Sequence, residues 1–263
     1  MGVAVTSAFD GLAAGYDDVA ESSLGSTLRA RVHGVLEEVV EPGQSVLDLG
    51  CGTGLDLLYL SQLGLEASGA DASQEMLDVA RRRLASAGAP PPDLALLDLN
   101  DIEARAAVSL GQQSFDHILA NFGVVNCVRD LGGLLTWIST LLAPGGTFTM
   151  AIMGPWCPWE MGRAVFRLDR HGVTRRRSAN NYHSATVSYP SWSILSEAMP
   201  DSLRVERREA LGWILPTFEQ RALVESRPKL LSLLAMGDRL GARFVSRLGL
   251  GDHWIIVCRK RTA

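Results

Sequence analysis

The stretch Val46-Leu47-Asp48-Leu49-Gly50-Cys51-Gly52-Thr53-Gly54 constrains this chain more than any other. A short apolar run carrying one acid reads as a buried strand, and three glycines at alternate positions follow it directly. Glycine reaches left-handed backbone angles at little steric cost and lets the main chain pass close to a ligand with no Cβ in the way. The helix expected from about Gly54 then presents unpaired N–H groups and the positive end of its dipole. Strand, glycine turn and helix in that order open a nucleotide-binding βαβ unit.

The same alternation continues downstream. A helix over about 26–41 is stopped by Pro42–Gly43. Apolar strands are expected at about 45–49, 65–70, 94–97, 115–120 and 147–152, separated by helices at about 54–63, 74–87, 101–110 and 130–142. Strands alternating with helices imply right-handed crossovers and a parallel sheet covered on both faces. Pro144-Gly145-Gly146 should turn the fourth helix into the fifth strand. After Ile152 the regularity breaks. Residues 153–200, rich in Trp, Arg, Pro and Ser, read as an insertion with one helix near Glu160–Asp169. A strand at 203–211, two helices within 216–247 and a last strand at 253–259 complete a doubly wound, mostly parallel α/β sheet of seven strands.

Four regions follow: an N-terminal segment 1–24, an α/β core 25–152, the insertion 153–200 and the closing elements 201–263. Phe9, Leu12 and Tyr16 are spaced for one face of a short amphipathic helix. The insertion leaves a strand's carboxyl end, the edge where open α/β sheets bind ligands, so it should cap a substrate. A net charge of −4 argues against a general nucleic-acid binder. Four cysteines stand singly, which suits thiols of a reducing cytosol and offers no metal site. No apolar run reaches the roughly 18 residues of a membrane span. The expected partner is a small molecule, with neither nucleic acid nor membrane; oligomeric state stays open.

Two further acids sharpen the reading of the loop. Asp71 closes the second strand, where a carboxylate can accept from both hydroxyls of a ribose; Asp98 closes the third, where it can accept from an adenine amine. The glycine spacing is also GxGxG after an acid, not the GxGxxG of dinucleotide sites. Acids at three successive strand ends would repel a pyrophosphate but tolerate a sulfonium beside a ribose and adenine.

With those residues in place, the chain from about Val46 to Ile152 resembles the class I S-adenosylmethionine (SAM)-dependent methyltransferases of the small-molecule type. The resemblance rests on VLDLGCGTG, GADASQEML, LLDLND, FDHILANFGVVNCV and LLAPGGTF, in that order. It implies that Gly50, Cys51 and Gly52 line the methionine end of SAM, that Asp71 holds the ribose, and that Asp98 and Leu99 flank the adenine. By the same match Asn121 and Phe122 lie beside the cofactor, Tyr16 covers it, and Asp48, Gly54, Ala72, Met76 and Asn126 join the set. Asn121-Phe122-Gly123 departs from the Asn-Pro-Pro-aromatic signature of transfer to amino groups of nucleobases and protein glutamine, which disfavours those acceptors.

The acceptor side is read from the insertion. His183 and His253 are the base candidates, since an imidazole of pKa near 6.5 is the natural base at neutral pH. His33 and His171 are expected on surfaces and His117 inside a strand. Trp156, Trp159, Trp192 and Trp213 could wall an apolar pocket, together with Glu160, Arg163 and Tyr182. Six arginines (163, 167, 170, 175, 176 and 177) against Glu160 and Asp169 would suit an anionic acceptor or a solvated basic face. Methyl transfer to an O, N or C atom of a small molecule is the expected activity. A peptide or protein N-methyltransferase and a SAM-binding module without turnover are the alternatives.

Overall fold

The structure is a computed structural model that describes residues 13–108, 110, 114–169, 174–177, 180–182 and 185–262. Two helices open it, α1 (Ala13–Ala20) and α2 (Ser23–Leu36). Ser22 caps α2 by accepting from the Gly25 N–H at 3.1 Å. That cap starts the helix three residues before the expected Ser26, and it ends at Leu36, short of Pro42. There follow β1 (Ser45–Leu49), α3 (Leu55–Gln62), β2 (Glu66–Asp71), α4 (Gln74–Ser86), β3 (Asp93–Leu96), α5 (Ile102–Ala107), β4 (Phe115–Ala120), α6 (Leu131–Leu141) and β5 (Leu142–Met153).

The insertion contributes α7 (Pro158–Phe166), a hairpin of β6 (Asn180–Tyr182) and β7 (Ala185–Val187), and α8 (Trp192–Glu197). The hairpin and α8 carry no strong apolar period and were not expected. Then come β8 (Leu203–Leu211), α9 (Ala222–Glu225), α10 (Pro228–Arg247) and β9 (His253–Lys260).

Seven strands form one sheet in the order β3-β2-β1-β4-β5-β9-β8. Pairing is parallel from β3 through β5, and β9 runs antiparallel to both β5 and β8. This is the doubly wound, mostly parallel sheet read from the sequence. Inside β5 the pairing with β4 jumps from Phe115↔Leu142 to His117↔Thr147, so Pro144-Gly145-Gly146 bulges out of a strand longer than expected.

Alternate side chains divide the core into two layers, the period of two that strands impose. Val46, Leu119, Ala151, Ile255 and Val257 pack under Leu28, Val32 and Val35 of α2 and Leu231 of α10. Leu47, Leu49, Ile118, Phe148, Met150 and Ile256 face Leu134, Leu135 and Ile138 of α6. Each fully buried Leu or Ile contributes about 1.5–3 kcal/mol. Successive strands lie on opposite sides of β1, to β2 and β3 one way and to β4 and β5 the other. That reversal places the sheet's switch point, and with it a ligand crevice, at the carboxyl end of β1. Among the described residues no helix is long and apolar enough to cross a membrane.

Candidate active site

At that switch point the chain turns through Gly50 (φ 69°), Gly52 (φ 53°) and Gly54 (φ 81°), all left-handed. A Cβ on Gly50 would sit 2.3 Å from Val124 Cγ2, and one on Gly54 would sit 2.8 Å from the Ala80 Cβ. Space as well as conformation therefore demands glycine here. Gly50 and Cys51 both donate to the Ala70 carbonyl, at 2.7 and 3.1 Å, which ties the loop to β2. Burial pushes the Cys51 thiol well up, so it is a wall and not a nucleophile.

Asp71 stands at the end of β2 as expected. Its carboxylate accepts from Gly52 N–H at 2.8 Å and Ser73 N–H at 2.9 Å, so it braces the glycine loop from the end of β2. Met76 is buried at the head of α4, where its N–H meets the capping Ser73 hydroxyl. Asp98 accepts from the Asn100 N–H at 2.9 Å just past β3, and Leu99 is buried beside it.

The N-terminal helix closes over the loop. A Cβ on Gly52 would come within 3.9 Å of the Tyr16 ring. Asp17 accepts from the Thr53 hydroxyl at 2.6 Å and pairs with Arg83 of α4, which also donates to the Thr53 carbonyl at 3.0 Å and reaches Glu21. Burial raises the Tyr16 hydroxyl pKa, the Arg29 charge partly opposing it. The expected Phe9 and Leu12 lie outside the described residues.

Under the loop lies a polar cluster that the sequence reading missed. Asp56, in the first turn of α3, is gripped by Arg29, by His33 Nε2 at 2.7 Å and by the Asn121 amide at 2.9 Å. Burial opposes its charge, but Arg29 and His33 hold the carboxyl well below the ordinary range. His33 is therefore not a surface residue: it is wedged between Asp56 and the ring of Tyr59, stacked at 3.6 Å. The signal was there in an Arg and a His four apart on α2, which share a helix face. Asp48, on the same sheet face as Val46, is fully enclosed, and its Oδ2 has no partner among the described residues. Burial and the Asp56 charge push its carboxyl well above the usual value.

An unsatisfied buried carboxyl oxygen beside a left-handed glycine loop fits SAM, whose methionine end carries an ammonium. The first-turn N–H groups of α3, which Gly54 leaves without a side-chain cap, suit its carboxylate.

Beyond β4 the backbone of Phe122 is itself left-handed (φ 48°), a strained state for a non-glycine residue. Its N–H is held by the Asn121 side chain at 3.0 Å. The ring lies under Arg29, 5.0 Å from the guanidinium carbon, and meets the His253 ring edge-on at 5.6 Å. His253 opens β9 opposite Met153, and therefore stands on the same carboxyl edge as the glycine loop. Asp252 Oδ2 faces its Nδ1, and Arg176 donates to Asp252 from the other side. His183 lies outside the described residues, as does the Tyr182 side chain.

Asn126 sits differently from the cofactor role expected of it. Its amide donates to the Met153 and Ser188 carbonyls at 3.0 and 2.6 Å and accepts from Met153 N–H at 2.8 Å, so it pins the insertion to β5. The tryptophans also divide. Trp156 bridges to Leu250 at the entry to β9. Trp192 packs under Arg208, 4.0 Å from ring centroid to guanidinium, and Trp213 donates to the Asp238 carbonyl of α10 at 2.8 Å. Those two rings serve the C-terminal packing. Trp159 is half-buried at the start of α7. Three of the six arginines have acidic partners: Arg175 and Arg176 both pair with Glu160, and Arg163 approaches Glu219 at 3.8 Å. Cys157, Glu160 and Asp252 converge closely enough for a metal, but the Arg176 guanidinium already bridges the two carboxylates.

Residues 47–148 match the family model of the methyltransferase domain. A ubiquinone biosynthesis O-methyltransferase of Dinoroseobacter shibae is 36% identical over 124 residues, covering 43% of this chain and 47% of that protein. A demethylmenaquinone methyltransferase of Symbiobacterium thermophilum is 32% identical over 144 residues, covering 53% and 55%. The chain thus spans about half the length of the curated relatives it matches. A SAM-dependent methyltransferase of Mesorhizobium loti shares the fold, with a TM-score of 0.60 at 20% identity, covering 90% of this chain and 99% of that one. Motif, sheet order and matches agree: residues 47–148 carry a methyltransferase domain, in a fold shared with a SAM-dependent methyltransferase.

Proposed function

We propose that the chain transfers the methyl group of SAM to an oxygen of a small-molecule acceptor, with His253 as general base. The observation that carries this is the Asp252–His253 pair at the carboxyl edge, in ring contact with Phe122 beside the glycine loop. The O-methyltransferases among its relatives support the choice of oxygen. SAM, when bound, supplies a methyl already made electrophilic by its sulfonium. Asp48, Asp71 and the loop N–H groups hold the cofactor, Phe122 and Tyr16 exclude water, and His253 takes the hydroxyl proton as the C–O bond forms. Holding acceptor and methyl in line accounts for on the order of 7–11 kcal/mol of the barrier. The four cysteines, all unpaired thiols, support a cytosolic setting.

The test is incubation with SAM and a panel of phenolic, alcoholic and amine acceptors, followed by mass spectrometry of S-adenosylhomocysteine and product. An O-methyl product formed one for one with S-adenosylhomocysteine is expected. Methyl found only on nitrogen would overturn the oxygen assignment.

A further inference from the structure

Helix α10 carries apolar side chains on two faces. One is buried: Leu231, Ala242 and Val245 pack inward. The other faces solvent, with Leu230, Leu233, Met236, Leu240, Phe244 and Leu248 exposed by 36 to 81%. Leu230, Leu233, Leu240 and Phe244 follow a heptad spacing, so they form one stripe about 20 Å long, which Leu248 extends. Monomeric surfaces rarely leave such a continuous apolar strip uncovered.

The charges on the helix select what covers it. Its exposed charged residues are Lys229, Arg239, Arg243 and Arg247, all positive, in a chain of net charge −4. Its acid, Asp238, is buried on the inner side, accepting from the N–H groups of Gly212, Trp213 and Ile214. Arg243 is partly neutralised by Glu209. The acids just before the helix are engaged too, Glu219 with Arg163 and Arg175, Glu225 with Arg221. A second copy docked on this face would set like charge against like. A surface of anionic lipid offers both acyl chains for the stripe and negative headgroups for its rim.

The geometry points to α10 as an interfacial helix that docks this protein flat on an anionic membrane surface. Such docking needs no spanning segment. It goes beyond the proposed reaction and does not depend on it. The helix ends close to the acceptor side, since Leu250 bridges to Trp156 at the entry to β9. A docked molecule would thus turn its insertion toward the lipid.

The test is sedimentation of the full chain with phosphatidylcholine vesicles, with and without phosphatidylglycerol, at low and high salt. Neither SAM nor acceptor is needed, so the outcome is separate from that of the methyl-transfer assay. Binding is expected only where phosphatidylglycerol is present. It should weaken with salt, fall about fivefold for each of Arg239→Gln and Arg247→Gln, and fall further in the double variant Leu240→Ser, Phe244→Ser. These positions are exposed, and circular dichroism with S-adenosylhomocysteine binding checks that the variants remain folded. No binding, equal binding to both vesicles, or binding unchanged in every variant overturns the inference. A dimer in light scattering that Leu240→Ser, Phe244→Ser splits, without vesicle binding, assigns the face to a second copy instead.

Discussion

His253 Nδ1 lies 3.0 Å from Asp252 Oδ2, a carboxylate that Arg176 also grips. Burial works against the Asp252 charge, but His253 and Arg176 hold its carboxyl well below the usual range. An ionised Asp252 fixes the proton on Nδ1 and leaves Nε2 as the basic nitrogen. His253→Gln should therefore lower kcat by roughly 10²–10⁴ while S-adenosylhomocysteine affinity stays nearly constant. Asp252→Asn should lower kcat less. Turnover against pH, with calorimetry of cofactor binding, checks both. Wild-type turnover in His253→Gln across the pH range would leave the pair a packing contact.

Gly50→Ala tests the loop itself. The new Cβ would meet Val124 at 2.3 Å from a left-handed backbone, so strand end and loop must both shift. Overpacking and φ strain together should cost about 2–4 kcal/mol and largely abolish SAM binding. Thermal melting with and without SAM measures it. An unaltered melting temperature that still rises with SAM would mean the loop tolerates the methyl.

Asp71→Asn keeps the shape and removes the charge. Hydrogen bonds to a charged group contribute about 1.5–3 kcal/mol each, and Asp71 already braces Gly52. SAM affinity should fall about 10- to 100-fold, by calorimetry, with little change in fold. Unchanged affinity would remove Asp71 from the cofactor site.

The sheet was legible because its signals are local. A five-residue apolar strand, a glycine turn and a helix cap announce themselves within a few positions, and β1, β4 and β8 were placed to the residue. Asp71 was legible for the same reason, being tied to the end of a strand. The Arg29–Asp56–His33 cluster was not, because its members come from α2 and α3 and meet only after the sheet closes. Asn126 illustrates the converse: it lies in a matching motif, yet its amide is occupied by the Met153 and Ser188 backbone, a contact 62 residues long that no spacing reveals. The outer face of α10 stayed hidden because the apolar periods of its two faces overlap in the sequence.

The N-terminal helix should act as a latch. Asp17 joins Thr53 and Arg83, and the Asp17 and Arg83 side chains are each about one-fifth exposed, so the ion pair contributes up to about 1 kcal/mol. Arg83→Gln should speed proteolysis within residues 13–22, and S-adenosylhomocysteine should slow it in the wild type more than in the variant. Equal cleavage rates in all four samples would refute a moving segment.

Asp48 gives a prediction specific to this site. Burial first, then the charge of Asp56, raises its carboxyl well above the ordinary value, and Arg29 offsets this only in part. A raised folded-state pKa means that Asp48 favours the fold while protonated, and that this contribution is lost as pH rises through the raised value. The positive groups of SAM, brought beside the unpartnered Oδ2, should pull that pKa back down. Binding should then release a proton, and affinity should increase as pH rises toward the raised value. Calorimetry in buffers of different ionisation enthalpy counts the proton directly. Asp48→Asn should remove that release and flatten the pH dependence, since the amide does not titrate. Identical proton counts in wild type and Asp48→Asn would show that the cofactor's charge is met elsewhere, with Asp56 the next carboxylate to substitute.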